Sequence, residues 1–141
     1  LVSKIAKSYG SQCVIVSIDA KKTSSGGYRV FSRAGQRPTN LNPVSWAKQA
    51  EKLGAGEILI NSVDRDGTMT GYDIQLVRMV AAAVKIPVIA AGGAGEPDHF
   101  VQVIKKTGVS AVAAASIFHF TQYTPQSVKL DMQTAGIPVR L

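Results

Sequence analysis

The sequence predicts an α/β fold built on a parallel sheet, and three observations predict it. Short runs rich in β-branched residues alternate with stretches of helical periodicity. The runs lead into Asp-, Gly- or Ser-bearing segments, residue types that favour turns. The order is one helix followed by four strand–helix units, and such alternation builds parallel sheets with right-handed crossovers.

Each element follows from local pattern. Val2, Ile5 and Tyr9 recur at helical spacing, and Gly10 can end that helix. Cys13–Ile18 is a short apolar run that predicts a buried strand ending at Asp19, with Cys13 as a small buried hydrophobe. Lys21–Asn40 is polar, but Tyr28–Phe31 after Gly26-Gly27 suggests a small β-excursion. Asn42-Pro43 opens a helix with Val44, Ala47, Ala50 and Leu53 on one face, closed by Gly54 or Gly56.

Ile58–Val63 predicts the second strand, followed by the turn-rich loop Asp64–Thr68. Asp73 can cap a helix carrying Ile74, Val77, Ala81 and Val84. Pro87–Ala90 predicts the third strand, running into Ala91-Gly92-Gly93-Ala94-Gly95. A helix from Pro97 carries Phe100, Val103 and Ile104 and ends at Gly108. Ala111–Ile117 predicts the fourth strand, and Thr124-Pro125 opens a last helix that Gly136 closes. The strands are apolar throughout, as expected when both faces of a sheet are buried.

Composition narrows the function classes. The 141 residues favour one domain, and 45% hydrophobic with 18% charged residues supports a packed core. No apolar run approaches the roughly 20 residues that cross a bilayer. The start, Leu1–Ile5, lacks the long apolar stretch of a secretory signal. The single Cys13 excludes an internal disulfide and a multi-cysteine metal site, and fits a reducing cytoplasm. Sixteen basic against nine acidic residues give +7, but the Lys and Arg are dispersed rather than interleaved with aromatics. A basic protein can bind nucleic acid, a membrane surface or a phosphorylated small molecule. The dispersal weakens the nucleic-acid reading, most of these charges read as solvated surface, and neither a nucleic-acid nor a membrane partner is expected.

Length poses a question. A full (β/α)₈ barrel needs about 250 residues, nearly twice this chain. Four units fit a small open sheet or half a barrel, and pattern alone leaves both open. A half barrel would expose two strand edges, which a second copy or a complementary half would cover.

Ligands of α/β proteins bind at the carboxyl ends of strands. Asp19, Asp64, Asp66, Gly92–Gly95 and Ser116 stand there. The glycines let backbone N–H groups approach an anion, although a tight turn would need them equally. Asp66-Gly67 can present another N–H or form an ordinary turn, and Asp64 can orient the loop. Asp19 can serve as a general acid or base, or as a cap; Lys21 is close enough in sequence to pair with it. His99 and His119 have no metal-like partners and read as structural or surface residues. No P-loop or complete dinucleotide fingerprint is present, so neither metal nor cofactor is expected.

Three stretches together carry a resemblance: Gly54–Thr68 continuing to Gly71-Tyr72-Asp73, Pro87–Gly95, and Ala114–His119. With Gly10–Lys21 they resemble the second half of the cyclase subunit of imidazole glycerol phosphate synthase, over essentially all 141 residues. The resemblance implies a (β/α)₄ half of a TIM barrel as a single domain over 1–141, with a homodimer or higher homo-oligomer completing the barrel. It implies histidine-pathway chemistry, in which ammonia from a glutaminase partner cleaves and cyclises a bisphosphorylated nucleotide. Asp19 then matches a catalytic aspartate. Asn61 lies near the substrate, and Asp66, Gly67, Gly92, Gly93 and Ser116 fall on the phosphate side. Glu57 matches the charged ring at the ammonia entrance. Two departures stand out: the first half with its own aspartate is missing, and Ala91 replaces a frequent serine. A homodimer would place two copies of Asp19 at symmetry-related positions and two phosphate sites opposite each other. Trp46–Glu51 and Gly136–Arg140 hint instead at paralogues that use ammonia in sugar modification.

Overall fold

The computed structural model describes residues 1–140. Helix α1 (Val2–Tyr9) leads through a 3₁₀ turn to β1 (Ile15–Lys22). Strands β2 (Tyr28–Ser32) and β3 (Arg37–Pro38) follow, then α2 (Pro43–Lys52), β4 (Glu57–Ser62), α3 (Ile74–Ala81), β5 (Val88–Ala91) and α4 (Pro97–Thr107). The chain closes with β6 (Ala111–Val112), α5 (Ser116–Phe120) and α6 (Pro125–Thr134).

The helix starts obey their capping residues. Asn42 accepts from the N–H groups of Val44 and Ser45 at 2.9 and 3.2 Å, and Asp73 accepts from Leu76 at 3.0 Å. Thr124 and Ser127 form a reciprocal capping box ahead of α6. Gly108 ends α4 in the left-handed conformation, φ 70°. Helix α2 stops at Lys52 with Leu53 as its cap, before either expected glycine, and α3 stops at Ala81, short of Val84.

The six strands lie in the order β3-β2-β1-β4-β5-β6. Pairs β1–β4, β4–β5 and β5–β6 are parallel, whereas β2 and β3 form an antiparallel hairpin on β1. The parallel strands follow chain order without reversal. A doubly wound sheet reverses its order at a switch point, so this topology is that of half a barrel. The helices agree: α2 packs on α3, α3 on α4 and α4 on α6, in one layer.

That single layer corrects the expectation of two buried faces. On the helix side, Ile18, Ala20, Ile58, Ile60, Val88 and Ala90 are at most 3% exposed. On the other side Ile15 is 56% exposed, Ser17 and Ala111 are exposed, and Leu59 and Ile89 are half-buried. The strands are apolar on both sides, but only one side is covered.

Strand bounds shift where pairing, not propensity, decides. β1 begins two residues later than expected and runs past Asp19 to Lys22, because β2 pairs with Asp19–Lys22. Cys13 therefore lies in the 3₁₀ turn, exposed, its thiol donating to the Tyr9 carbonyl at 3.2 Å. The fourth parallel strand holds only Ala111–Val112, and Ser116 starts α5 rather than ending a strand.

Candidate functional site

Register builds the site. Asp19 pairs with Asn61, and Asn61 with Ala91, across β1, β4 and β5. In-register residues of a parallel sheet point to the same face. All three side chains thus stand on the uncovered face, near the carboxyl ends of their strands. Asn61 Nδ2 donates to Asp19 Oδ1 at 3.2 Å, which orients the carboxylate. The ammonium of Lys21 lies 5.1 Å from the centre of the Phe31 ring, a cation–π contact, and makes no ion pair with Asp19.

A hollow of about 280 Å³ opens beside this row, lined by Asn61, Asp66, Ala91, Gly92 and Ala113–Ala115. Ser116 follows Ala115 directly at the start of α5. Of the sequence-predicted residues, Asn61, Asp66 and Gly92 line the hollow, Asp19 is bonded to one of them, and Ser116 adjoins it. Gly67 lies one residue beyond Asp66, exposed, at φ 78°. Glu57 stands apart: it pairs with Ile15 at the amino end of β4, about 13 Å of strand from Asn61.

The glycines of the β5–α4 loop are needed for close approach. A Cβ on Gly93 would collide with the Gly71 carbonyl, and one on Gly95 with the Met69 carbonyl. Gly93 sits at φ 110°, and its carbonyl accepts from the Gly71 N–H at 2.7 Å. A Cβ on Gly92 would lie 2.7 Å from both Asn61 Oδ1 and the Ser62 carbonyl. The loops after β4 and β5 are therefore fitted backbone to backbone, with Gly92 pressed against the site amide.

Other ties fix the rim. Asp64 accepts from the Lys22 N–H at 2.7 Å, so it does orient its loop, by joining it to β1. Tyr28 donates to both carboxylate oxygens of Asp73 at 2.9 and 3.0 Å, joining the hairpin to the start of α3. Tyr72 donates to the Ala113 carbonyl at 3.0 Å and meets Phe100 edge-on at 5.8 Å between centroids. Burial, then Asp73, raises the ionisation of Tyr28 well above the usual tyrosine range; burial alone does so for Tyr72. His99 is structural, with Nδ1 accepting from the Gly95 N–H at 3.1 Å and Nε2 3.3 Å from Glu96, while His119 is exposed.

The sequence reading missed the roles of Tyr28 and Tyr72. A buried tyrosine usually finds a polar partner, but nothing in the chain order indicates a partner more than 40 residues away. No described helix is long and apolar enough to cross a membrane. Residues 1–124 match the sequence model of a family described as histidine biosynthesis protein.

Proposed function

The chain belongs to the histidine biosynthesis protein family, and from that footing we propose that it binds a phosphorylated small molecule at the carboxyl end of its sheet. The observation that carries this reading is the Asn61–Asp19 hydrogen bond beside the hollow lined by Asp66 and Gly92. It supports a titratable carboxylate next to a small, glycine-edged recess, the arrangement an anionic ligand with an ionisable centre requires.

The roles divide by position. Asn61 holds one oxygen of Asp19, so the other oxygen exchanges the proton with the ligand. Gly92, Gly93 and Gly67 allow backbone to approach the phosphate, and Ser116 adds a hydroxyl. Asp66 shapes the mouth of the recess. The fuller family reaction is cleavage and cyclisation of a bisphosphorylated ribulosyl aminoimidazole carboxamide nucleotide with ammonia from a glutaminase subunit. In that scheme Glu57 serves at the far end of the strands, where ammonia enters. It also needs a second aspartate and a second phosphate site, which the resemblance assigns to the other half barrel. One chain alone therefore binds phosphate and turns the native substrate over poorly.

Calorimetric titration with inorganic phosphate and with the bisphosphorylated substrate tests this, with turnover followed in parallel. Binding that weakens in Ser116→Ala and persists in Asp19→Asn, with turnover far below that of a complete cyclase, is expected. Absence of phosphate binding would overturn the reading of the recess. A normal cyclase rate from the isolated chain would overturn the division of labour.

A further inference from the structure

One cation at the ligand end of the sheet is gripped by its neighbours yet pairs with no described carboxylate. Lys21 follows Asp19 by two residues on β1, so it stands on the same face, nearer the carboxyl end of the strand. Its ammonium lies 5.1 Å from the centre of the Phe31 ring. Its stem is held as well: a Cβ on Gly35 would lie 3.2 Å from Lys21 Cε and 2.5 Å from Val63 Cγ1. Gly35 is buried, although it belongs to the turn between β2 and β3.

That turn takes a costly conformation to reach Lys21. Arg33, Ala34 and Gly35 have φ of 54°, 53° and 76°, and the first two carry side chains. Such residues persist where the surroundings fix them. Here the surroundings are Val63 and the Lys21 stem, so the turn restrains a side chain that would otherwise sample many rotamers.

The charge itself is unanswered. Lys21 pairs in register with Arg29, and Asp19 with Phe31, so all four side chains share one face. Two cations directly opposite each other are unfavourable. Neither forms an ion pair among the described residues, with Asp19 or any other carboxylate. The Phe31 face attracts the ammonium but is no substitute for a hydrogen-bond acceptor, so N–H donors remain available.

We propose that Lys21 binds a second anionic group of the ligand whose phosphate sits in the recess at Asn61, Asp66 and Gly92. This rests on the phosphate reading and deepens it, by making the ligand a compact dianion. The recess lies on the β4 and β5 side of Asp19, and the ammonium leans toward β2 on the other side. Neighbouring strands are about 4.8 Å apart, so two to three spacings set the anionic groups roughly 10–15 Å apart. The middle of the ligand then crosses Asp19. Both groups are held by one chain, whereas the resemblance sends the second phosphate to the other half barrel.

Calorimetric titration with hexanediol bisphosphate and with hexyl phosphate tests this, since the two share a chain and differ by one phosphate. The wild type is expected to bind the bisphosphate roughly tenfold tighter, the worth of one charge-assisted contact. Propanediol bisphosphate, too short for the span, is expected to show no such gain over propyl phosphate. Lys21→Met keeps an unbranched stem against Gly35 and is expected to erase all but the statistical advantage of two equal ends. Lys21→Gln is expected to do the same with a polar end, and Lys21→Arg to keep the gain. Equal binding of the two hexyl ligands by the wild type, a gain that survives both Lys21→Met and Lys21→Gln, or an equal gain for the propanediol compound would overturn the proposal and leave the recess reading standing. Failure of hexyl phosphate itself to bind would overturn the recess reading, and this one with it.

Discussion

The two faces of the parallel sheet are made of the same kinds of residue and meet different fates. Ile60 is fully buried beneath the helices, whereas Ile15, on the opposite side of the sheet, is 56% exposed. Neither residue type nor strand propensity separates them; only the layer of helices does. An apolar run therefore reports that a strand is meant to be covered on both sides, without saying by what. In this molecule the covered side holds the fold together, and the uncovered side carries Asp19 and Asn61.

Substitutions sharpen that contrast. Ile60→Ala is expected to cost about 2–5 kcal/mol in chemical denaturation, because a buried side chain is lost and a cavity remains. Gly93→Ala comes next: its positive φ alone costs roughly 1–3 kcal/mol, and the new methyl meets the Gly71 carbonyl. Gly67→Ala, at φ 78° with open space around it, is expected to cost only about 1 kcal/mol. If the two glycine variants proved equal, the close fit of the loops would be refuted.

Tyr28→Phe removes the bonds to Asp73 and is expected to cost about 1.5 kcal/mol, a typical value for a bond to a charged group. Folding raises the ionisation of Tyr28 and Tyr72 above the ordinary value of 10.0. Their contribution is thus complete below that pH and is lost as pH rises toward the folded-state range. Denaturation between pH 8 and 11 is expected to show stability falling at the alkaline end, less steeply in Tyr28→Phe. Smallest of all, Ile15→Ala is expected to change the stability of dilute protein by less than about 1 kcal/mol.

Local chemistry made much of this legible. Asn42, Asp73, Thr124 and Gly108 mark helix ends because capping depends on neighbours in sequence, and all four do so here. The strand cores around Ile18, Ile60 and Ile89 were equally plain. Features set by distant partners were not. Asp19 sits within β1 rather than at its end because β2 pairs with it, and β6 is short because only Ile89 and Ala90 pair with it. The site was readable as a set of residues after strands, but the Asn61–Asp19 bond required the register between β1 and β4. Cys13 was misplaced because a β-branched run follows it, and the turn that exposes it depends on Gly10 at φ 90°.

The fit of Gly71 against Gly93, and of Met69 against Gly95, joins two connections that belong to different strand–helix units. Neither can gain bulk unless the other recedes, so changes at these positions should be tolerated only in matched combinations. Space lies elsewhere, at the turn between β1 and β2 around Gly26, where a side chain would meet nothing within 4 Å and only the positive φ of 84° opposes it. Refinement toward a new ligand would therefore start from that turn, with the fused loops kept as a fixed floor.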